Sequence, residues 1–188
     1  VTKTKAKKQT ITTTVKTTVK TTKEDIKTTT TTTSKTTANT TTTSEKTTAT
    51  AKTMSIDSLN GKVAPQVIKA FKTMNYKLII DPTVSYQGYF NGSKQTITLK
   101  SVNEDHLLHE LGHYVGFIAG NKDLTAEFKN IYNKESSKFT GNNKAYVTKN
   151  SSEYFAESFR DFYTRPATLK NERPETYNYI LKSINSIT

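Results

Sequence analysis

Residues 109–113 read His-Glu-Leu-Gly-His. In an α-helix, side chains four residues apart stand on one face, so His109 and His113 can aim two imidazoles at one ion. Glu110 lies about 100° further round the helix than His109, where it reaches a water beside that ion rather than the ion itself. Two imidazoles and an adjacent carboxylate suit a catalytic zinc, which needs three protein ligands and one open position. The chain has three His and no Cys. The third His, His106, stands three residues before His109 and is expected to face solvent or to support a neighbour. The longer signature H-E-x-x-H-x-x-G-x-x-H fits at Gly116 but fails at Ala119, which cannot ligate. The third ligand is therefore a carboxylate. Gly112 is expected to leave room on the metal side of the helix.

The segment Asn150-Ser-Ser-Glu153-Tyr-Phe-Ala-Glu157-Ser-Phe offers two acids four residues apart, on one face of an apolar helix. A second acid has a use there, because it can accept the outer N–H of a ligating imidazole and orient the ring. Glu127, Glu135 and Asp161 have no such paired acid. Asn150-x-x-Glu153 also has the form of a capping box, in which Glu153 would serve the helix start instead. Spacing alone leaves Glu153 and Glu157 both open as the ligand.

These residues need elements to hold them. Val67, Ile68 and Phe71 recur at helical spacing within 63–74, with Pro65 near the start. Residues 76–81 read as a short buried strand ending at Asp81-Pro82. Two further strands flank Asn91-Gly92-Ser93, a hairpin signal, with alternation through Gln95–Leu99. From about Glu104, Leu107, Leu108, Leu111, Val115 and Ile118 form an apolar stripe that ends at Gly120-Asn121. Residues 123–134 form another helix, with Leu124, Phe128, Ile131 and Tyr132 inward. A Gly/Asn/Ser/Lys-rich loop spans roughly 136–150. Helices then start at about Ser151 and at Pro174. The order helix, strands, helices predicts an α+β domain over 54–188. The strand 94–101, directly before the His-bearing helix, is the candidate sheet edge for binding a peptide.

Residues 1–53 differ in kind. About half are Thr, with no aromatic residue, Gly or Pro, and eleven Lys face three acids. Eight of the chain's twelve net positive charges thus lie here, and the remainder is mildly basic. Such a segment buries too little apolar surface to offset its ordering entropy, and is expected to be a disordered tether. Its composition suits a stalk or cell-wall spacer, and places the protein as secreted or cell-surface associated. No aromatic interleaves the lysines, so no nucleic-acid partner is expected. No run of about 18 apolar residues is present, so no membrane span is expected.

His-Glu-Leu-Gly-His followed some 40 residues later by Glu-Tyr-Phe-Ala-Glu-Ser-Phe resembles the catalytic domain of anthrax lethal factor and the clostridial Pro-Pro endopeptidases. The likeness covers roughly 100–188 and weakens back to about 60; the Thr/Lys tract is outside it. The resemblance implies a zincin-like metalloprotease fold and one catalytic Zn²⁺ on His109, His113 and Glu153. It further implies that Glu157 supports the site, Glu110 is the general base, and Tyr146 faces the scissile carbonyl. Without the resemblance, Tyr146 reads as an ordinary surface tyrosine.

The expected function is a monomeric zinc endopeptidase acting on extended, Pro-containing protein segments, including surface proteins of the producer. The alternative is a catalytically inactive, zinc-containing surface attachment module. The intact Glu110 counts against it, because a protein that only holds zinc has no need of the base.

Overall fold

The computed structural model of the chain describes residues 50–188. Nearly all of the expected tether, residues 1–53, lies outside them. Four strands and seven α-helices are present among the described residues: β1 (Lys52–Met54), α1 (Pro65–Thr73), β2 (Lys77–Ile80), β3 (Gly88–Asn91), β4 (Thr96–Leu99), α2 (Glu104–Ile118), α3 (Ala126–Glu135), α4 (Lys144–Val147), α5 (Ser151–Thr164), α6 (Pro166–Glu172) and α7 (Pro174–Asn185). This is the α+β architecture expected. β1 begins two residues before the change in composition at Met54.

The sheet has the order β1-β2-β4-β3. β1 and β2 are antiparallel, β2 and β4 parallel, and β3 and β4 antiparallel. The hairpin forms where its turn residues put it. Asn91 Oδ1 accepts from Lys94 N–H at 2.9 Å, and Gln95 takes a left-handed φ of 54° to close the turn. Ile97 and Leu99 point into the core, while Thr96 and Thr98 are half-buried.

One expectation is overturned here. The strand within 94–101 is not an edge, because β4 pairs with β2 on one side and β3 on the other. Among the described residues, the free edge beside α2 belongs to β3. Alternation along a strand reports which face is buried, and says nothing about how many neighbours the strand has.

α2 starts as its sequence dictates. Asn103 Oδ1 accepts from His106 N–H at 2.9 Å, and Glu104 and Asp105 lie at the positive end of the helix dipole. Leu107, Leu108, Leu111 and Val115 are buried. Phe71, Tyr76 and Phe90 pack on Tyr114 and join α1 and the sheet to this helix. α3 starts later than expected. Residues Lys122–Leu124 form a separate 3-10 turn, Thr125 caps α3, and Leu124 is exposed rather than inward. Phe128 and Ile131 are buried as expected.

α5 lies across α2, and the two form the most extensive helix pair of the domain. Gly112 explains the closeness. A Cβ there would sit 2.7 Å from both Cα and O of Ala156 and 3.0 Å from Cβ of Phe159. Gly112 thus serves the approach of α5, not space for the metal. The far side of α5 is fixed by Arg173, fully buried, which pairs with Asp161 and donates to Ser158 Oγ at 3.1 Å. Its guanidinium also lies over the rings of Phe139 and Tyr154. α6 was not anticipated from sequence; it is one short segment between Pro166 and the start of α7. No helix among the described residues is long and apolar enough to cross a membrane.

Candidate metal centre

α2 presents His109 and His113 one turn apart, their rings 5.1 Å from each other. α5 presents Glu153 opposite them. Glu153 Oε2 lies 3.1 Å from His109 Nε2 and 3.5 Å from His113 Nε2. These three donor atoms lie within 4.8 Å of one another. Neighbouring ligands of a tetrahedral zinc, with bonds of 2.0–2.1 Å, are roughly 3.3 Å apart. The two measured separations bracket that value, and the donor set of two imidazoles and a carboxylate is one zinc accepts.

Glu157 is placed differently. Its Oε2 lies 2.9 Å from His109 Nδ1, the outer nitrogen of the ring, and its Oε1 lies 2.6 Å from Arg160 Nη2. A carboxylate at Nδ1 takes that N–H and leaves Nε2 with its lone pair free for an ion. The capping-box alternative for Glu153 is only half realised. Asn150 Oδ1 accepts from Glu153 N–H at 2.8 Å, but the Glu153 side chain turns to the imidazoles and to Lys149 Nζ, 3.3 Å from Oε1.

The electrostatics show which charge this cluster suits. Burial opposes charge on Glu153, but hydrogen bonds from His109 and His113 outweigh it and hold the carboxyl far below its usual range. Burial likewise opposes charge on His109, yet its hydrogen bonds to Glu153 and Glu157 push it up to about 9. The carboxylates create a strong demand for positive charge between the rings, which a divalent cation meets without any proton.

Glu110 is buried at the side of this cluster. Burial raises its pKa, against the opposing pull of His113 and His109. The backbone of Phe90 adds a smaller pull in the same direction as the two imidazoles. Gly88 makes the space: a Cβ there would lie 2.6 Å from Glu110 Oε1 and 2.8 Å from its Cγ. Lys100 N–H donates to Gln87 O at 3.0 Å, so along this antiparallel pair Gln87, Tyr89 and Asn91 turn toward β4. Gly88 and Phe90 therefore turn their backbone groups outward, to the side where Glu110 sits.

Tyr146 is half exposed, on the short helix α4 rather than in an irregular loop. Buried Val147 anchors this turn, and Tyr132 Oη donates to Thr148 O at 2.6 Å. Lys149 Nζ lies 3.7 Å above the Tyr146 ring. Partial burial and the nearby Glu153 raise the Tyr146 pKa, so its hydroxyl keeps its proton. His106 is half-buried on the turn before His109, apart from the cluster, and its buried Nδ1 makes no hydrogen bond among the described residues.

Sequence reasoning missed four neighbours: Lys149, Arg160, Ser152 and Asp123. Ser152 Oγ lies 3.5 Å from His113 Nδ1 and donates to Asp123 Oδ2 at 2.6 Å. Lys149 lies four residues before Glu153 and Arg160 three after Glu157, so helical spacing from the acids was the available signal for these two, and Ser152, next to Glu153 in the chain, had no such signal. Asp123, beyond the end of α2, had none.

A sequence profile of the family described as anthrax toxin lethal factor, N- and C-terminal domain, matches residues 1–183. Among solved structures, the PRO-PRO endopeptidase PPEP-2 from Paenibacillus alvei has a similar fold, with a TM-score of 0.53 and 21% sequence identity. The alignment covers 66% of this chain and 86% of that one. No curated protein matches.

Proposed function

The chain belongs to the anthrax toxin lethal factor family, and from that premise we propose that it is a zinc-dependent endopeptidase. One observation carries this reading. A buried carboxylate, Glu110, lies beside the His109–His113–Glu153 cluster in the space that Gly88 leaves at the outer edge of β3. A protein that only stores or displays zinc has no use for a base fixed at that place.

Zinc on His109, His113 and Glu153 would supply Lewis acidity, polarising a peptide carbonyl and making water a nucleophile near neutral pH. The chain's own groups do the rest. An extended peptide adds to the outer edge of β3, where Gly88 and Phe90 turn their backbone groups outward. Glu110 takes a proton from the attacking water as the new C–O bond forms. It then delivers that proton to the amine nitrogen as the C–N bond breaks. The Tyr146 hydroxyl, kept protonated, donates to the developing oxyanion. Glu157 and Arg160 keep His109 oriented throughout.

Extended Pro-containing segments are the proposed substrates. The similarity to a PRO-PRO endopeptidase supports that choice. Physically, Pro restricts the peptide to the extended conformation that edge pairing requires. Action outside the cell rests on the stalk-like composition of residues 1–53.

The test is digestion of a peptide library by the full chain, beside Glu110→Ala and a chelated sample. Cuts confined to the untreated wild type are expected, and their flanking residues report the demand for Pro. A folded, zinc-loaded wild type that cuts nothing in a library of extended Pro-containing peptides would favour the attachment-module alternative.

A further inference from the structure

We propose that Ser152 and Asp123 are positioning residues that fix the tautomer and the orientation of His113, as Glu157 does for His109. The inference rests on the reading of His109, His113 and Glu153 as a zinc centre.

A metal-binding imidazole must present a bare nitrogen to the ion, so its other nitrogen must carry the proton and find an acceptor. For His109 the acceptor is Glu157, a carboxylate that can only accept. For His113 the group at Nδ1 is Ser152 Oγ, 3.5 Å away. A hydroxyl can donate or accept, so by itself it would not choose a tautomer.

Asp123 removes that freedom. Its Oδ2 lies 2.6 Å from Ser152 Oγ, and a carboxylate at that distance takes the hydroxyl's only proton. Ser152 is left with lone pairs alone to offer His113, so Nδ1 must be the N–H. The bare Nε2 then points toward Glu153 Oε2, 3.5 Å away. The negative charge of Asp123 also polarises the hydroxyl and strengthens it as an acceptor.

The placement is economical in structural terms. α5 carries Ser152 and Glu157 on either side of Glu153, so one helix supplies a ligand and holds both rings. Asp123 comes from the 3-10 turn just after α2, the helix that bears His113. The relay therefore ties the end of α2 to the start of α5 across the metal site. The contact from Ser152 to His113 is its longest link, and the one to be tested.

The experiment measures zinc affinity of the full chain by chelator competition, with NMR of the His113 imidazole in the zinc-loaded protein and melting of the metal-free protein. Ser152→Ala is expected to weaken zinc about 10–100-fold and to remove the protected Nδ1–H signal. Ser152→Thr should restore affinity to within about threefold of the wild type, because it returns the hydroxyl. Asp123→Ala should weaken zinc, and adding it to Ser152→Ala should cost little more, since both act through one relay. A Ser152→Ala protein that binds zinc as tightly as the wild type overturns the relay alone. So does one whose only defect is a lower melting point of the metal-free form. A wild type that takes up no zinc overturns the metal centre and the relay together.

Discussion

Gly88→Ala separates folding from chemistry at this site. The added methyl would lie 2.6 Å from Glu110 Oε1, 2.8 Å from Cγ and 3.0 Å from Cδ. All three atoms belong to the outer part of one flexible side chain, so the carboxylate moves and the strand does not. Gly88 does not lie in the left-handed region, so alanine adds no backbone strain. Losing the glycine's extra freedom in the unfolded chain is worth roughly 0.4–1 kcal/mol in favour of the fold. Restoring ordinary contact requires the carboxylate to retreat by about 0.7–1 Å from its present place. A misplacement of about 1 Å at a reacting group costs on the order of 10²-fold. That equals about 2.7 kcal/mol of transition-state stabilisation. The loss falls within the 10²–10⁴-fold that a general base contributes. The assay is kcat/KM on the best library peptide, with zinc content and melting temperature measured on the same sample. The expected result is full zinc, a melting temperature equal to or above the wild type, and about 100-fold lower kcat/KM. Wild-type kcat/KM in a zinc-loaded Gly88→Ala protein would refute the placement of Glu110 as the base.

Gly112→Ala meets backbone rather than a side-chain tip; it should cost about 1–3 kcal/mol and weaken zinc, read by melting and chelator competition. Tyr146→Phe should keep zinc and substrate affinity and lose about 10²–10³ in kcat, measured by steady-state kinetics. Arg173→Ala removes the buried donor to Asp161 and Ser158 while Arg165 still pairs with Asp161, and should cost about 1.5–3 kcal/mol in denaturant unfolding, with no change in cleavage specificity. Zinc at about 1,000 times its Kd should stabilise the protein by about 4 kcal/mol, and chelation should lower the melting temperature by roughly 10 °C.

Much of the scaffold follows from short-range rules. α2 is legible from its apolar stripe, its Asn103 cap and the Gly120-Asn121 stop, all within reach of a few residues. The β3–β4 hairpin is legible from its turn. Positions 109, 110 and 113 share a helix, so their joint presentation is a matter of helical geometry. Glu153 and Glu157 are legible as a pair for the same reason, and the resemblance to lethal factor separated their roles before any contact was visible.

What spacing left open depended on contacts between distant segments. Whether Glu153 meets Nε2 or the helix start depends on how closely α5 approaches α2, and Gly112 against Ala156 sets that distance. Which strand is free depends on β2 pairing in parallel with β4, so among the described residues the open edge beside α2 is β3 and not 94–101. Leu124 has an apolar side chain at helical spacing, yet it lies on a 3-10 turn and faces solvent. Asp123 gains its place at Ser152 only when the end of α2 and the start of α5 are brought together. The sequence by itself determined which residues share a face, because helical and strand periods are local. Tertiary structure decided which faces meet and which edge stays open, because both depend on close packing between segments tens of residues apart.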